Sequence, residues 1–462
     1  MTGIYISAAH KSSGKTTLSL GICAAFRERG LTVQPFKKGP DFIDPLWLSQ
    51  AAGRACYNLD YQTQSPEEIL ILFRRLSARA DISLIEGNKG LHDGMALDGS
   101  NSNAAVAKQV RTPVILVIDT RGMSRGIAPM TLGFQAFDPR VRIAGVILNQ
   151  VGGPRHEGKL REVMAAYTDI PVLGAVHRHT DLVIDERHLG LIPSNESRQS
   201  ERRITGIRRR VADQVDLEAL RTLATRTTTP GIAAIEPPSI PYTCLRVAIP
   251  RDPAFGFYYP DDLAAFEAAG ARLRFFDALS DRRLPEADAL FIGGGFPETH
   301  MDALADNREL SAAIRNAIEN GLPTYAECGG LMYLSRSIRW RDHHREIAGV
   351  IPGDIHMQQR PVGRGYVTLE VRNHPWGPQP GARLHCHEFH HSSLTDLPDN
   401  ADFAFEVVRG HGIDGKHDGY RIHNLLAGYA HQRHTAANPW VHHFLAFAAR
   451  HKARHSQPVF PS

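Results

Sequence analysis

The chain has few cysteines, little net charge and no long apolar segment. Its five cysteines are odd in number and widely spaced, and no two of them form a CxxC pair. This usage excludes a disulfide scaffold and is typical of reduced thiols in a cytoplasmic protein. Lys and Arg total 53 against 49 Asp and Glu, which leaves a formal charge of +4. We therefore expect no sequence-independent binding of nucleic acid.

No apolar run approaches the ~20 residues that cross a bilayer. Residues 1–10 contain no basic stretch followed by an apolar core, so we predict no secretion signal, no membrane attachment and a cytoplasmic location. Hydrophobic residues still make up 42% of the chain and charged residues 22%, an ordinary globular balance. The 462 residues are enough for two or three domains.

Short apolar runs alternate with helix-length segments in the first half of the chain. We interpret these runs as buried strands at Ile4–Ser7, Thr32–Pro35, Ile82–Ile85, Val114–Ile118, Ile143–Leu148 and Val172–Val176. The alternation predicts βαβ units around a mainly parallel sheet.

The pattern weakens near residue 195 and resumes at Leu245. A basic stretch at 202–210 and four prolines between 230 and 241 lie in this interval. Proline-rich segments of this kind act as stiff linkers. We therefore predict an α/β domain over residues 1–195, a helical and proline-rich linker over 196–243, a second α/β domain over 244–445 and a tail over 446–462.

A phosphate-binding loop follows the first strand. The segment from Ala9 to Thr16 matches Gly-x-x-x-x-Gly-Lys-Ser/Thr, except that Ala9 stands at the first Gly position. Backbone N–H groups near Gly14 would surround a phosphate at a helix N-terminus. Lys15 would neutralise phosphate charge, and Thr16 would offer its hydroxyl to Mg²⁺. We assign ATP binding to these residues together with Thr17.

Three carboxylates stand just after predicted strands of the same domain. Asp41 and Asp44 follow the second strand, and Glu86 closes the run Asp81–Ile85. A carboxylate at the carboxyl end of a strand can hold Mg²⁺ beside a phosphate-binding loop. We assign the metal to Thr16, Asp41 and Glu86, although each acid taken singly is more often a turn or cap residue.

A cysteine stands at a tight turn in the second domain. The strand Pro323–Ala326 leads through Glu327 to Cys328 and two glycines, and then into a helical segment. This arrangement is typical of a nucleophile elbow. Backbone N–H groups of Gly294, Gly295 and Gly329 could form the matching oxyanion hole.

The nucleophile also needs a base. His431 is the candidate, but 18 of the 24 histidines fall between residues 300 and 455. Spacing alone does not choose among them, and the neighbouring His434 stays open as the base.

The order of these motifs resembles the cobyrinate a,c-diamide synthase family over nearly the whole chain. Besides the two loops, the similarity is carried by specific blocks at 36–45 (Phe-Lys-Lys-Gly-Pro-Asp-Phe-Ile-Asp-Pro), 90–94 (Gly-Leu-His-Asp-Gly), 293–298 (Gly-Gly-Gly-Phe-Pro-Glu) and 387–390 (His-Glu-Phe-His). The resemblance implies a dethiobiotin-synthetase-like ATP domain and a class I glutamine amidotransferase domain. It also implies an activity, in which ATP activates acetate carboxylates of a corrin-type macrocycle as acyl phosphates. Ammonia released from glutamine then gives the amides.

The resemblance also implies roles for single residues. Cys328 corresponds to the nucleophile and His431 to its base, while Asn149 corresponds to a strand-end residue that reads adenine. Family enzymes often lack the acidic residue that follows the base, and Gln432 and Arg433 supply none.

The acceptor site is the least constrained part of this resemblance. We assign it Lys38 and Lys89, which could hold the carboxylates that are not reacting. We also assign it Asp44 and Asp93, which could position the groups around the reacting carboxylate. The expected partners are glutamine and a tetrapyrrole polycarboxylate, with a homodimer as a candidate assembly.

Alternatives remain open because the chain departs from the family pattern around the nucleotide and acceptor. The departures include the segment from Ala9 to Ser13, the pair Asn88-Lys89, and His92. A sirohaem amidase branch is the main alternative, and a nickel-sirohydrochlorin amidating branch is a weaker one.

An alternative from a different class is a switch ATPase of the partition type with an inactive glutaminase domain. Such proteins carry a signature Lys where this chain has His10, and they have no use for the Cys328 elbow.

Overall fold

The computed structural model describes residues 2–184, 186–187, 190–196, 199–225, 242 and 244–455. It divides into two compact units, Met1–Ile235 and Glu236–Ser462. Each unit is an α/β fold built on its own sheet, which confirms the predicted fold class. Within the described residues, no helix is both long and apolar enough to cross a membrane.

The first unit is built on seven parallel strands. Their spatial order is Tyr57–Leu59, Val33–Lys38, Ile82–Glu86, Gly3–Ala8, Val114–Asp119, Ile143–Val151 and Val172–His177. A 3₁₀ turn at Thr180–Leu182 and a ribbon of Glu186–Arg187 with Gly190–Leu191 follow the last strand. The helices are Lys15–Glu28, Ile43–Ala52, Pro66–Ser77, Asn103–Val110, Ile127–Phe137, Pro154–Tyr167, Ser200–Gln214 and Leu217–Thr225.

Both faces of this sheet are buried. Along the first strand, Ile4 and Ile6 pack into one apolar cluster, while Tyr5 packs into the cluster on the opposite face. Successive side chains of a strand point to opposite faces, so a strand covered on both sides is apolar throughout. This explains the continuous apolar runs in the sequence.

The basic stretch predicted as linker is instead part of the first unit. It forms the helix Ser200–Gln214, whose residues Ile204, Ile207 and Val211 are buried in the first unit's core. Gly21 of the helix Lys15–Glu28 allows this close packing, since a Cβ there would lie 2.4 Å from a methyl carbon of Val211. The linker prediction is therefore wrong for the helices within 200–225. The proline-rich part, 226–241 and 243, lies outside the described residues.

The second unit contains a mixed sheet of nine strands. Their spatial order is Arg272–Phe276, Arg246–Pro250, Ala289–Ile292, Thr324–Glu327, Leu425–Gly428, His417–Ile422, Asp402–Arg409, Gly363–Val371 and Arg383–His390. The first five strands are parallel, and the remaining pairings are antiparallel. A second sheet joins His343–Glu346, Ser335–Trp340, Ile351–Met357 and Ser392–Thr395, and a short ribbon joins Phe255–Phe257 to Gly294–Gly295.

The helices of this unit are Pro260–Ala268, Met301–Asp306, Arg308–Glu319, Gly329–Leu334 and Trp440–His455, with a 3₁₀ turn at Pro297–Thr299. The last helix corrects the predicted tail. Ala448 is fully buried in the same cluster as Trp440 and Phe444, so residues 446–455 belong to the folded unit. Residues 456–462 lie outside the described part of the chain.

The helix Ser200–Gln214 provides a test of these boundaries. Ile207→Ala removes a fully buried side chain and should lower the free energy of unfolding by about 2–5 kcal/mol in urea titrations. Arg209→Ala, on the exposed face of the same helix, should stay within about 0.5 kcal/mol of the parent. Equal effects of the two substitutions would contradict the packing described here.

Candidate functional site

The loop after the first strand begins a helix in the geometry expected for phosphate binding. Gly14 has φ +85° and stands directly before the helix Lys15–Glu28. The Asn149 side-chain amide donates a hydrogen bond to the Ser13 carbonyl (2.8 Å), and a Cβ at Gly14 would lie 2.1 Å from that amide nitrogen. Asn149 therefore supports the loop, while its contact with adenine stays a prediction. The Thr17 hydroxyl donates to the Leu182 carbonyl (3.3 Å).

Thr16 meets two of the strand-end carboxylates. Its hydroxyl lies 2.8 Å from Glu86 Oε1 and 3.3 Å from Asp44 Oδ2. Asp44 was expected at the acceptor and Asp41 at the metal, but Asp44 is the aspartate that contacts Thr16. Asp41 instead caps the following helix, because its Oδ1 accepts hydrogen bonds from the N–H groups of Ile43 and Asp44.

The buried ammonium of Lys37 lies among the same carboxylates. Its Nζ is 2.7 Å from Glu86 Oε1, bonds to Asp44, and is 3.6 Å from Asp41 Oδ2. Burial by itself would lower the pKa of Lys37, but Asp44 and Glu86 raise it well above its ordinary value. Sequence reasoning missed Lys37, although its place at the end of the second strand was a usable signal.

This oxygen cluster fits a magnesium ion that also binds phosphate. Among the described residues, no group of three His, Cys, Asp or Glu side chains is arranged to hold a metal by itself. Mg²⁺ commonly takes one or two carboxylates together with substrate phosphates. Thr16, Asp44 and Glu86 supply such donors beside the loop, and Glu86 Oε2 is buried without a hydrogen-bond partner.

Lys15 completes the phosphate loop. Burial, followed by the charge of Lys37, lowers the pKa of Lys15 to about 8. A phosphate at the loop would favour its charged form, since a nearby opposite charge raises the pKa of a lysine.

The predicted acceptor residues differ in their surroundings. Lys38 is buried, and burial lowers its pKa to about 8 while Asp60 opposes the change. Lys89 and Asp93 are exposed, and Asp93 Oδ2 accepts a hydrogen bond from the Gly90 N–H (2.9 Å). The structure leaves their contact with an acceptor as a prediction.

In the second unit, Cys328 stands at a strained turn between a strand and a helix. Its φ of +50° and ψ of −101° are unusual for a residue with a side chain. Such strain costs on the order of 1–3 kcal/mol and persists where the surrounding structure enforces it. The turn is held by the Cys328 N–H, which donates to the Gly428 carbonyl (2.7 Å).

The predicted oxyanion glycines lie together beside this turn. A Cβ at Gly329 would be 2.8 Å from the Gly295 backbone nitrogen, and a Cβ at Gly294 would be 2.5 Å from His431 Cε1. Only residues without side chains allow these approaches. The glycines therefore allow the His431 ring and the Gly295 backbone to pack closely beside the Cys328 turn.

His431 is the histidine that contacts Cys328. Burial alone would lower its pKa, but a hydrogen bond with the Cys328 side chain and contacts with Glu327 raise the pKa to about 10. His434 has other contacts, since its Nδ1 accepts a hydrogen bond from the Val441 N–H (3.3 Å) and its ring packs against His442. The geometry thus favours His431 over His434 as the base.

Glu327, immediately before the cysteine, was missed by the sequence reasoning. Its Oε2 lies 3.4 Å from His431 Nδ1, and both side chains are almost fully buried. The two positions directly after the histidine, Gln432 and Arg433, supply no acid. The adjacency to Cys328 at a strand end was the available signal.

Comparisons with known families agree with the two sites. The CobQ/CobB/MinD/ParA nucleotide binding domain matches residues 5–191. The CobB/CobQ-like glutamine amidotransferase domain matches residues 246–439. The two matches contain the phosphate loop and the Cys328 turn, respectively.

Full-length relatives share both domains. A Magnetococcus marinus protein named cobyrinate a,c-diamide synthase is 43% identical, covering 98% of this chain and 98% of its own length. Proteins with the same name from Picrophilus torridus and Listeria monocytogenes are 40% and 38% identical. Each match covers 93% of this chain. It covers 95% of the Picrophilus torridus protein and 96% of the Listeria monocytogenes protein.

The close approach of Gly294 to the His431 ring can be tested by alkylation of Cys328. In Gly294→Ala the new Cβ would meet the His431 ring and displace it from Cys328. Iodoacetamide should then label the Cys328 peptide roughly tenfold more slowly at neutral pH, because the thiolate is the nucleophile. Gly158→Ala is the control, since no heavy atom lies within 4 Å of its Cβ. If the Gly294→Ala variant is labelled at the parent rate, the position of the His431 ring does not depend on the lack of a side chain at residue 294.

Proposed function

Since the chain belongs to the cobyrinate a,c-diamide synthase family, we propose that it converts acetate carboxylates of cobyrinate into amides, using ATP and taking nitrogen from glutamine. The observation that carries this proposal is the contact of Cys328 with His431 beside the glycines of a glutamine amidotransferase domain. The phosphate loop of the other unit supplies the ATP-dependent half of the reaction.

Glutamine hydrolysis begins with the Cys328 thiolate. Its sulfur attacks the side-chain carbonyl of glutamine, and the C–N bond breaks as His431 gives its proton to the departing ammonia. Water then attacks the thioester while His431 takes up a proton, and glutamate and the thiolate are released. Backbone N–H groups around Gly295 and Gly329 would stabilise the oxyanion.

ATP serves to activate the acceptor. A carboxylate oxygen of the acceptor attacks the γ-phosphorus, ADP leaves, and the resulting acyl phosphate reacts with ammonia to give the amide and phosphate. Lys15 and the N–H groups after Gly14 bind the phosphates being transferred. Mg²⁺ held by Thr16, Asp44 and Glu86 would supply further positive charge there.

The Cys328 contact also disfavours the switch-ATPase alternative. A switch ATPase with an inactive glutaminase domain has no need for a buried cysteine at a strained turn, a histidine in contact with it, and glycines that pack closely against both. Those features are all present in the second unit.

Two substitutions separate the half-reactions. Cys328→Ala deletes the nucleophile and should reduce glutamine-dependent synthesis on the order of 10³-fold or more. Synthesis from added ammonium should persist, because the phosphate loop is unchanged. Lys15→Ala is the converse variant, and it should stop synthesis from either nitrogen source. Normal glutamine-dependent turnover in Cys328→Ala would reject the assigned nucleophile.

The acceptor can be identified by mass. Cobyrinate, hydrogenobyrinate and sirohaem are incubated separately with the enzyme, ATP, Mg²⁺ and glutamine. We expect the mass of cobyrinate to change, because each amidation replaces an OH group with NH₂. A change with sirohaem alone would replace the corrin acceptor with the sirohaem alternative, and no change with any of the three would reject a tetrapyrrole acceptor.

A further inference from the structure

We propose that Glu327 is the positioning carboxylate of the glutaminase pair, holding the His431 imidazolium in register with the Cys328 thiolate. It takes the place of the acid that class I amidotransferases usually carry after the histidine. This inference rests on the proposed glutamine hydrolysis, and it concerns a residue that acts through His431 without touching the substrate.

The Glu327 carboxylate has polar contacts at both oxygens. Oε2 lies 3.4 Å from His431 Nδ1. Oε1 accepts hydrogen bonds from the Tyr325 hydroxyl (2.6 Å) and from the Gln432 N–H (2.8 Å). With Nδ1 facing the carboxylate, the other ring nitrogen is left for the cysteine. An orienting group of this kind sets the tautomer and direction of a catalytic imidazole.

Two adjacent strands bring the three residues together. Glu327 ends the strand Thr324–Glu327 and pairs in register with Gly428, the last residue of the parallel strand Leu425–Gly428. His431 follows Gly428 by three residues, and its backbone exchanges hydrogen bonds with His387 (2.7 and 3.3 Å). The carboxylate and the nucleophile are consecutive in sequence, at the junction of this strand and the helix Gly329–Leu334.

The usual position for the acid is occupied by a different interaction. Arg433, two residues after the histidine, is almost fully buried and donates from Nε and Nη2 to Asp261 Oδ2 (2.8 and 2.7 Å). Its guanidinium also stacks on Tyr259, 5.0 Å from the ring centre. Position 433 therefore faces Asp261, and the negative charge beside His431 has to come from another element.

Neutral side chains and further buried carboxylates surround the pair; Glu298 and Asp418 both interact with Tyr429, which also interacts with Cys328. Burial raises the pKa values of Tyr258, Tyr325 and Cys386 well above their ordinary values. Burial also lowers the pKa of His387 to about 3, and the nearby His431 adds to this. These four groups are neutral near pH 7. Burial likewise raises the pKa of Asp262, which lies farther along the neighbouring helix. A buried imidazolium needs an opposite charge in contact, and Glu327 supplies it.

The test compares Glu327→Gln with the parent in glutamine hydrolysis. Gln keeps an oxygen for Nδ1–H and removes the charge. We expect kcat to fall on the order of 10²-fold with little change in KM. Because Glu327 favours the protonated ring, its loss lowers the pKa of His431. The alkaline limb of the pH–rate profile should therefore move about one pH unit or more toward lower pH.

Asp262→Asn is the matched control. Asp262 is also a buried carboxylate of this unit, but it accepts hydrogen bonds from the His434 N–H (2.7 Å) and Trp440 Nε1 (3.3 Å). This variant should lose stability without moving the alkaline limb of the pH–rate profile.

If Glu327→Gln does not fold, Glu327→Asp serves instead. The shorter side chain withdraws the charge from Nδ1, so the alkaline limb should move in the same direction by a smaller amount.

The outcomes separate this inference from the proposed function. A circular dichroism spectrum and a urea unfolding midpoint equal to those of the parent show that the Glu327 variant is folded. An unchanged alkaline limb and kcat in that folded variant would overturn the role of Glu327 while leaving glutamine hydrolysis intact. No glutamine hydrolysis by the parent enzyme would overturn the proposed function itself, and this inference with it.

Discussion

A charge buried away from water must have an opposite charge in contact with it, and both sites of this chain are built around that constraint. In the first unit the Lys37 ammonium lies against Asp44 and Glu86. In the second unit the His431 ring lies against Glu327. Burial alone would lower the pKa of both groups. Asp44 and Glu86 raise it at Lys37, and Cys328 together with Glu327 raises it at His431.

Parallel strands explain how residues distant in sequence come to share these sites. Thr16 and Glu86 are 70 positions apart, yet they are within hydrogen-bond distance. The strand Gly3–Ala8, which precedes the loop and helix of Thr16, is the neighbour of the strand that ends at Glu86. In the second unit, the strands ending at Glu327 and Gly428 bring Cys328 and His431 into contact. Ligand sites of open α/β sheets lie beyond the carboxyl ends of the strands. Each unit follows this rule within its own sheet.

Much of this arrangement could be predicted from the sequence, because the motifs are local. The phosphate loop, the cysteine turn and the glycine block each depend on a few consecutive residues. Which of Asp41 and Asp44 contacts Thr16 could not be predicted, since it depends on which carboxylate accepts hydrogen bonds from the N–H groups that begin the helix Ile43–Ala52. The role of Glu327 depends on strand pairing, and no local pattern records that. The predicted end of the second domain at residue 445 falls inside the helix Trp440–His455, whose residue Ala448 still reaches the core.

The central claim is that ATP activates the acceptor carboxylate before nitrogen from glutamine reaches it. The most direct measurement uses cobyrinate with ¹⁸O in its carboxylates and follows the label by mass spectrometry of the released phosphate. The account predicts one ¹⁸O-labelled phosphate for each amide formed, because the bond broken by ammonia joins the acyl carbon to an oxygen that came from the carboxylate. Amide formation with unlabelled phosphate would contradict the acyl phosphate and the role given to the phosphate loop.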